Sequence, residues 1–388
     1  RFYITPSSYI PGLQLVLIAI LLIFNFNFVF KKDFDSYLVL IFAFYILLNS
    51  TIFSIFNIDK TIFSLGSALI SLILLLPFFI GSTLGEKLDF RVIVWVIFSG
   101  ASIFLIYYIL DYILTDRYQL QGMSGRTIDQ RLPITINLIL LLSLLISSKS
   151  ILVNIFLKVI FISALFFIVM SFSKGAYVLL LINLIVLLKY MNLSKFIILL
   201  LFTLIMMFII QFLRENGIFL EEINLIFYRF HLIKNALLDY RSVASAYVRV
   251  ETWIVVYDYM SINPFRFLFG NGESGIHSAN LFINASESRK IMTSESQYLS
   301  TFFRGGIFGI TLQIIILYRV IFLCFKLHFL DKENRDIHLA LLAFFIGLIF
   351  FLAFEPSLRD REFGMLFYFL YGLIVLKRHK TYNKRTIT

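Results

Sequence analysis

TSESQYLSTFFRGGIFGI, residues 293–310, passes from a polar stretch into an apolar run that continues to residue 325. A helix of about 20 apolar residues crosses the hydrocarbon core of a bilayer, so the run reads as a membrane span over 297–325. Glu295 stands just before it and Arg304 lies inside it. Ionised groups at a membrane edge are costly, so each needs a partner, a route to the surface or a task. The rest of the chain points to the same solvent. Sixty per cent of its residues are hydrophobic, 15% are charged and 46 are Phe, whereas a soluble domain carries about a quarter charged residues. The expected fold is an all-α polytopic membrane protein, because helices satisfy their own backbone groups in lipid.

Working outward, about eleven spans (ten to twelve) are expected. They fall near residues 11–30, 36–56, 61–81, 92–113, 132–147, 159–173, 176–189, 195–213, 297–325, 338–354 and 363–376. With the tail KRHKTYNKRT inside, KKDFD, GEKLDFR, KYMNLSK and KLHFLDKENRD also lie inside. Lys and Arg then favour the inner segments about twofold over the short outer ones, which makes the C-terminus cytoplasmic. The chain divides into an N-terminal bundle of about eight spans (1–213), a large outer loop (214–296), and about three spans with a basic tail (297–388). In the loop, FLEEINLIFYRFHLIKNALL has apolar residues at helical spacing, which suits an amphipathic helix at the interface. A second helix is expected through SVASAYVRVETWIVVYDYM, and INPFRFLFGNGESG supplies breakers and turns. Cys324 is the single cysteine and the five His residues are scattered, so neither a disulfide framework nor a metal site is expected. The first apolar run has the length of a span and no small-residue cleavage site, so no cleavable signal peptide is expected.

The charges worth weighing are those able to converge on the outer side. Lys174, in SFSKGAY, sits in a turn between two spans; snorkelling accounts for it, yet an outward lysine runs against the charge bias of the short loops. Arg249, in YVRVETW, suits either a local pair with Glu251 or a planar fork clamping a diphosphate. Arg359, beside Arg361 in EPSLRDREF, has acidic neighbours that suit a local ion-pair network. Glu295 as a mere helix cap gains only a few tenths of a kcal/mol from the helix dipole, and Ser294 or Ser296 caps without charge. As a general base it needs only to be ionised and within reach of a hydroxyl.

Four landmarks follow in order: SFSKG, RVETW, NPFRFLFGNGESG and ESQYLSTFFRGGIFG. In this order, around one long outer loop, they resemble the bacterial O-antigen polymerase and ligase family over roughly residues 120–376. The resemblance implies a GT-C-like membrane fold and glycosyl transfer on the periplasmic face of the inner membrane. It implies an undecaprenyl-diphosphate-linked oligosaccharide as donor, a second such glycan as acceptor, and no metal, nucleotide sugar or other cofactor. A chain-length regulator protein is an expected partner and nucleic acid is not. Arg249 matches the arginine of the family's large loop. Lys174 stands where the family usually has arginine, keeping the charge and losing the bidentate fork. Glu295 stands where ligases commonly have histidine. It still serves as a base, and the difference tilts the reading towards polymerase. Glu295 is then the base, Arg249 with Lys174 holds the diphosphate, and Arg304 and Arg359 are further candidates for the same site.

Three other readings compete. A ligase differs only in its acceptor, the lipid A core. A flippase for lipid-linked sugars is expected to show repeated halves with polar sites near the midplane; here no repeat is seen and polarity collects in one outer loop. A scaffold with the loop as docking surface leaves the order of the landmarks unexplained.

Overall fold

The computed structural model describes residues 33–56, 61–115, 132–146, 150–170, 174–190, 244–272, 281–283, 289–290, 296–353, 358 and 361–387, with isolated residues at 197, 228, 231, 234–235 and 238–239. The helices are α1 (Phe34–Phe56), α2 (Thr61–Lys87), α3 (Phe90–Thr115), α4 (Leu132–Leu145), α5 (Ile151–Met170), α6 (Lys174–Tyr190), α7 (Ala244–Ser261) and α8 (Pro264–Phe269). After a two-residue antiparallel hairpin, β1 (Phe282–Ile283) with β2 (Arg289–Lys290), come α9 (Gln297–Leu330), a 3-10 turn (Lys332–Asn334), α10 (Arg335–Phe351) and α11 (Arg361–Ile387). The chain is thus an all-α polytopic membrane protein. Among the described residues, four helices are long and apolar enough to cross a bilayer: those over Phe34–Ile52, Ile151–Ile168, Gln297–Leu330 and Lys332–Phe351. The span expected at 11–30 lies outside the described residues, as does that at 195–213 apart from Ile197.

Several helices outrun the apolar runs that announced them. α2 continues to Lys87 because its last turns, rich in small residues, pack on α11. An added Cβ on Gly81 would fall on the Phe369 carbonyl, and one on Gly372 on the Phe78 carbonyl, so the two backbones meet where only glycine fits. Ser82 donates from its hydroxyl to Phe78 O at 3.1 Å and to Gly372 O at 3.2 Å. α5 starts eight residues before the expected 159, at Ile151. α11 runs to Ile387, well past the last apolar residue of its span, because its basic residues have partners.

The stretch 297–325, expected as one span, is two helices. Gly306 has φ 57° and ψ −157°, a conformation restricted in practice to glycine. The Thr301 hydroxyl donates to Gln313 Oε1, and an added Cβ on Gly309 would lie 3.6 Å from Thr301 O. Residues twelve apart in a straight helix are separated by about 18 Å. The segment before Gly306 therefore folds back along the one after it. Ile307 to Leu330 alone still spans about 36 Å.

Contacts group the chain into two compact units. One comprises residues 1–95, 247–331 and 352–388; the other comprises 96–246 and 332–351. In the second, α10 packs on α4 and α6, and α4 on α5. Asn183 donates to Asn137 Oδ1 at 2.6 Å in its apolar interior, in contact with Gly347.

In the first unit a charge cluster ties α1, α9 and α11 together. Asp35 is fully buried. Arg319 donates to both its carboxylate oxygens at 2.8 Å, Tyr371 donates to Oδ1 at 2.7 Å, and Arg378 reaches Oδ2 at 3.4 Å. This bidentate fork is the geometry in which a charge is best kept inside. Asp33, just before α1, lies 2.6 Å from His379 Nε2 and accepts from Ser36 N at 2.7 Å. Burial pushes its carboxyl up, yet the hydrogen bonds to His379 and Ser36 outweigh that and hold it below the ordinary value. Lys377 pairs with Asp331 at 3.0 Å, and Lys380 donates to Gly85 O and Glu86 O, carbonyls of the last turn of α2.

Removing one partner from such a cluster leaves an uncompensated charge. Asp35→Ala is expected to destabilise the protein by about 3 kcal/mol, read from thermal unfolding in detergent, with the double variant Asp35→Met/Arg319→Met recovering part of the loss. Because the Asp33 carboxyl is depressed, its stabilising contribution is present above the ordinary carboxylate range and lost as pH falls through the lowered value. Asp33→Asn is expected to flatten that acid limb of the stability profile; an unchanged limb contradicts the assignment.

Candidate active site

The break in α9 frees carbonyls that a continuous helix would have used, and backbone groups left unpaired inside a membrane protein are costly. Each of the three preceding the break has a named partner. Phe303 O accepts from Asn271 N at 2.9 Å and from Asn271 Nδ2 at 3.1 Å. Arg304 O accepts from Asn49 Nδ2 at 2.7 Å. Gly305 O accepts from the Tyr45 hydroxyl, which also lies 3.2 Å from Phe269 O. Two elements thus hold the break: α1 from one side, and the turn after α8 from the other.

That turn is built as its sequence predicts. Asn263 caps α8, its Oδ1 accepting from Phe265 N at 2.9 Å, with Pro264 opening the helix and Gly270 (φ 83°) closing it. An added Cβ on Gly270 would strike the Arg304 carbonyl, and one on Gly306 the Leu268 carbonyl. The two glycines let α8 and the break dock backbone to backbone. Around them Phe269 stacks on Phe308 and Phe267 meets Phe302 edge-on. Val256 and Met260 of α7 share one apolar cluster with Leu299, Phe302 and Phe303 of α9.

Beside the break lies an open cleft with a cavity volume of about 60 Å³. α1 lines it with Tyr45 and Asn49, α2 with Ser71, and α9 with Gln297, Thr301, Arg304 and Gln313. Gln297 Nε2 donates to Thr301 Oγ1 at 3.2 Å, and Thr301 in turn donates to Gln313 Oε1 across the break. Gln297 and Gln313 are each 3% exposed. Among the described residues that line the cleft, Arg304 alone carries a charge.

The five candidates from the sequence fall as follows. Arg304 lies at the break and lines the cleft. Arg249 sits half-buried on α7, next to Val248, which packs against the cluster shared with α9. Arg249 and Arg304 belong to one compact unit, and Lys174, the first residue of α6, belongs to the other. Glu295 and Arg359 lie outside the described residues. Their neighbours are informative. Ser296 caps α9, accepting from Leu299 N, while Gln297 N donates to Leu352 O at 2.9 Å. The cap of α9 is thus Ser296. Reading the sequence for charges passed over Tyr45, Asn49, Gln297 and Gln313. For Asn49 and Gln313 the signal was present as neutral polar residues inside apolar runs, in ILLNST and ITLQIII.

Comparison with known proteins adds one match. A family model described as O-antigen ligase matches residues 159–314, a stretch that takes in Lys174, Arg249, Glu295 and Arg304. A search of curated proteins finds no match.

The geometry of the break is testable without a substrate. Gly306→Ala puts a side chain where the backbone conformation and the Leu268 carbonyl both oppose it. It is expected to cost about 1–3 kcal/mol. Gly100→Ala, where an added Cβ meets nothing within 4 Å, is expected to leave the thermal midpoint unchanged or slightly raised. Equal midpoints for the two variants would falsify the break as described.

Proposed function

We propose, on the premise that residues 159–314 carry a domain of the O-antigen ligase and polymerase family, that this chain is an O-antigen polymerase. It joins undecaprenyl-diphosphate-linked oligosaccharide repeat units at the periplasmic face of the bacterial inner membrane, with its C-terminus in the cytoplasm. The observation that carries the reading is the match itself, whose stretch includes Lys174, Arg249, Glu295 and Arg304. A cleft in which α9 breaks its backbone beside Arg304 supports it.

In the reaction, a hydroxyl oxygen of one glycan attacks the anomeric carbon of the other. The bond from that carbon to the diphosphate oxygen breaks, and the lipid diphosphate leaves with the electron pair. Glu295 takes the hydroxyl proton; general-base assistance of this kind contributes about 100-fold or more. Arg249, helped by Lys174, holds the diphosphate as its negative charge grows, where a well-placed donor contributes about 3–4 kcal/mol. Arg304 and Arg359 are further cations for the same charge.

The family model carries the ligase description, and a ligase runs the same bond changes with the lipid A core as acceptor. Glu295 in place of the histidine common in ligases favours the polymerase.

The test is the glycan ladder of the native host after deletion of this gene, complemented by wild type, Glu295→Gln or Arg249→Ala at equal membrane levels. A polymerase predicts that deletion leaves a single repeat unit on the core and that wild type restores the ladder. Both variants are expected to lose it, with rates down about 100-fold or more. Deletion that leaves a bare core identifies a ligase. An undisturbed ladder after deletion refutes both readings, and a normal ladder from Glu295→Gln removes the base.

A further inference from the structure

The cleft beside the α9 break has a chemistry of its own. Its polar lining is almost wholly hydroxyl and amide, from Tyr45, Asn49, Ser71, Gln297, Thr301 and Gln313, against an apolar wall that includes Leu74, Leu75 and Phe42. The hydrogen bonds in it have a direction. Gln297 gives a proton to Thr301, and Thr301 has one proton and gives it to Gln313. The start of that chain is Gln297 Oε1, buried and without a hydrogen-bond partner among the described residues. A buried acceptor left in this state is costly, which marks the position as one that expects a donor from elsewhere.

A diphosphate does not meet that demand. Its ester oxygens at neutral pH only accept, and against Gln297 Oε1 they would set lone pair against lone pair. A sugar ring does meet it: each hydroxyl both donates and accepts, and its C–H faces suit an apolar wall next to aromatic rings. Neutral amides and hydroxyls also bind without the desolvation that burying a full charge would require. We propose that this cleft is a saccharide subsite, in which Gln297, aligned by Thr301 and Gln313, accepts a hydrogen bond from a sugar hydroxyl. The inference rests on the glycan chemistry proposed above and assigns its two halves to different residues. The cations hold the diphosphate, and the neutral relay reads the sugar. Gln297 stands two residues after Glu295 in the sequence, and in this proposal the relay sets which hydroxyl pattern the cleft accepts.

The test uses the full chain in nanodiscs and two probes. One is the diphosphate-free repeat-unit oligosaccharide released from the host's own surface glycan, and the other is inorganic pyrophosphate. Affinities are measured by calorimetry for wild type, Gln297→Met, which keeps the side-chain volume, and Thr301→Val, which removes only the relay hydroxyl. The expected result is oligosaccharide binding to wild type that weakens tenfold or more in both variants, with pyrophosphate affinity unmoved. The proposal is overturned if wild type does not bind the oligosaccharide, if both variants bind it as tightly as wild type, or if they lose pyrophosphate instead. Selective loss of oligosaccharide binding supports the subsite even where the glycan ladder identifies a ligase, so the two readings fail separately.

Discussion

The docking of α8 on α9 and the cleft beside it depend on one backbone event, the positive-φ turn of Gly306 within α9. A helix that breaks among apolar neighbours must find new donors for its freed carbonyls, because lipid and packed side chains supply none. Here the donors come from distant parts of the sequence: Asn49 and Tyr45 on α1, Asn271 after α8. The break thereby joins three elements that no continuous apolar surface would have held in register. It also turns residues 297–305 back along 307–313, which is what places Gln297 and Thr301 beside Gln313. Without the glycine, Thr301 and Gln313 would stand on the same helix with more than three turns between them.

The charge cluster around Asp35 is the complement of this arrangement. Asp35 lies in the first turn of α1, with Tyr45 and Asn49 about 15 and 21 Å farther along the same helix. α1 is thus gripped at one end by Arg319, Tyr371 and Arg378, and along its length by the carbonyls of the α9 break. A rod fixed at two separated points neither slides nor rotates freely. Tyr45 and Asn49 keep their aim because Asp35 fixes the register of the helix that bears them. Buried ion pairs are weak sources of net stability, and setting register is the use that this geometry suggests for the cluster.

Much of this was legible in the chain, and what was not has a common cause. Hydropathy marked most helices because lipid exposure makes helical spans nearly obligatory. Local chemistry marked the α8 turn, where Asn263, Pro264 and Gly270 each act on their immediate neighbours. Ser296 was equally readable as a cap. The fold-back of α9 was not, since glycine pairs are common in spans and Gly305–Gly306 reads as a small-residue interface until its partners are known. Those partners are remote: Tyr45 lies 260 positions from Gly305. A search for charges also passes over residues such as Asn49 and Gln313, whose importance comes from what they face. The length of α11 was hidden for a similar reason. A basic tail looks like solvated coil until Lys377 and Lys380 are seen to end on Asp331 and on the last turn of α2.

The division of labour between neutral and charged groups that the proposed reaction calls for also follows from membrane electrostatics. A cation drawn close to a developing diphosphate charge is strengthened by the low dielectric around it. The same cation pressed against a neutral sugar would add a desolvation cost and no discrimination among hydroxyl patterns. Amides and hydroxyls discriminate because each has a fixed sense of donation, and a mismatched partner leaves one buried group unpaired. In the proposed reaction Arg304 is the residue where the two chemistries meet. Its carbonyl is held by Asn49 of the neutral wall, and its side chain is the charged member of the cleft lining. Backbone capture by a neutral amide fixes where that side chain leaves the helix. On the proposed reaction, an anionic leaving group lies next to a neutral acceptor, and a residue placed in this way borders both.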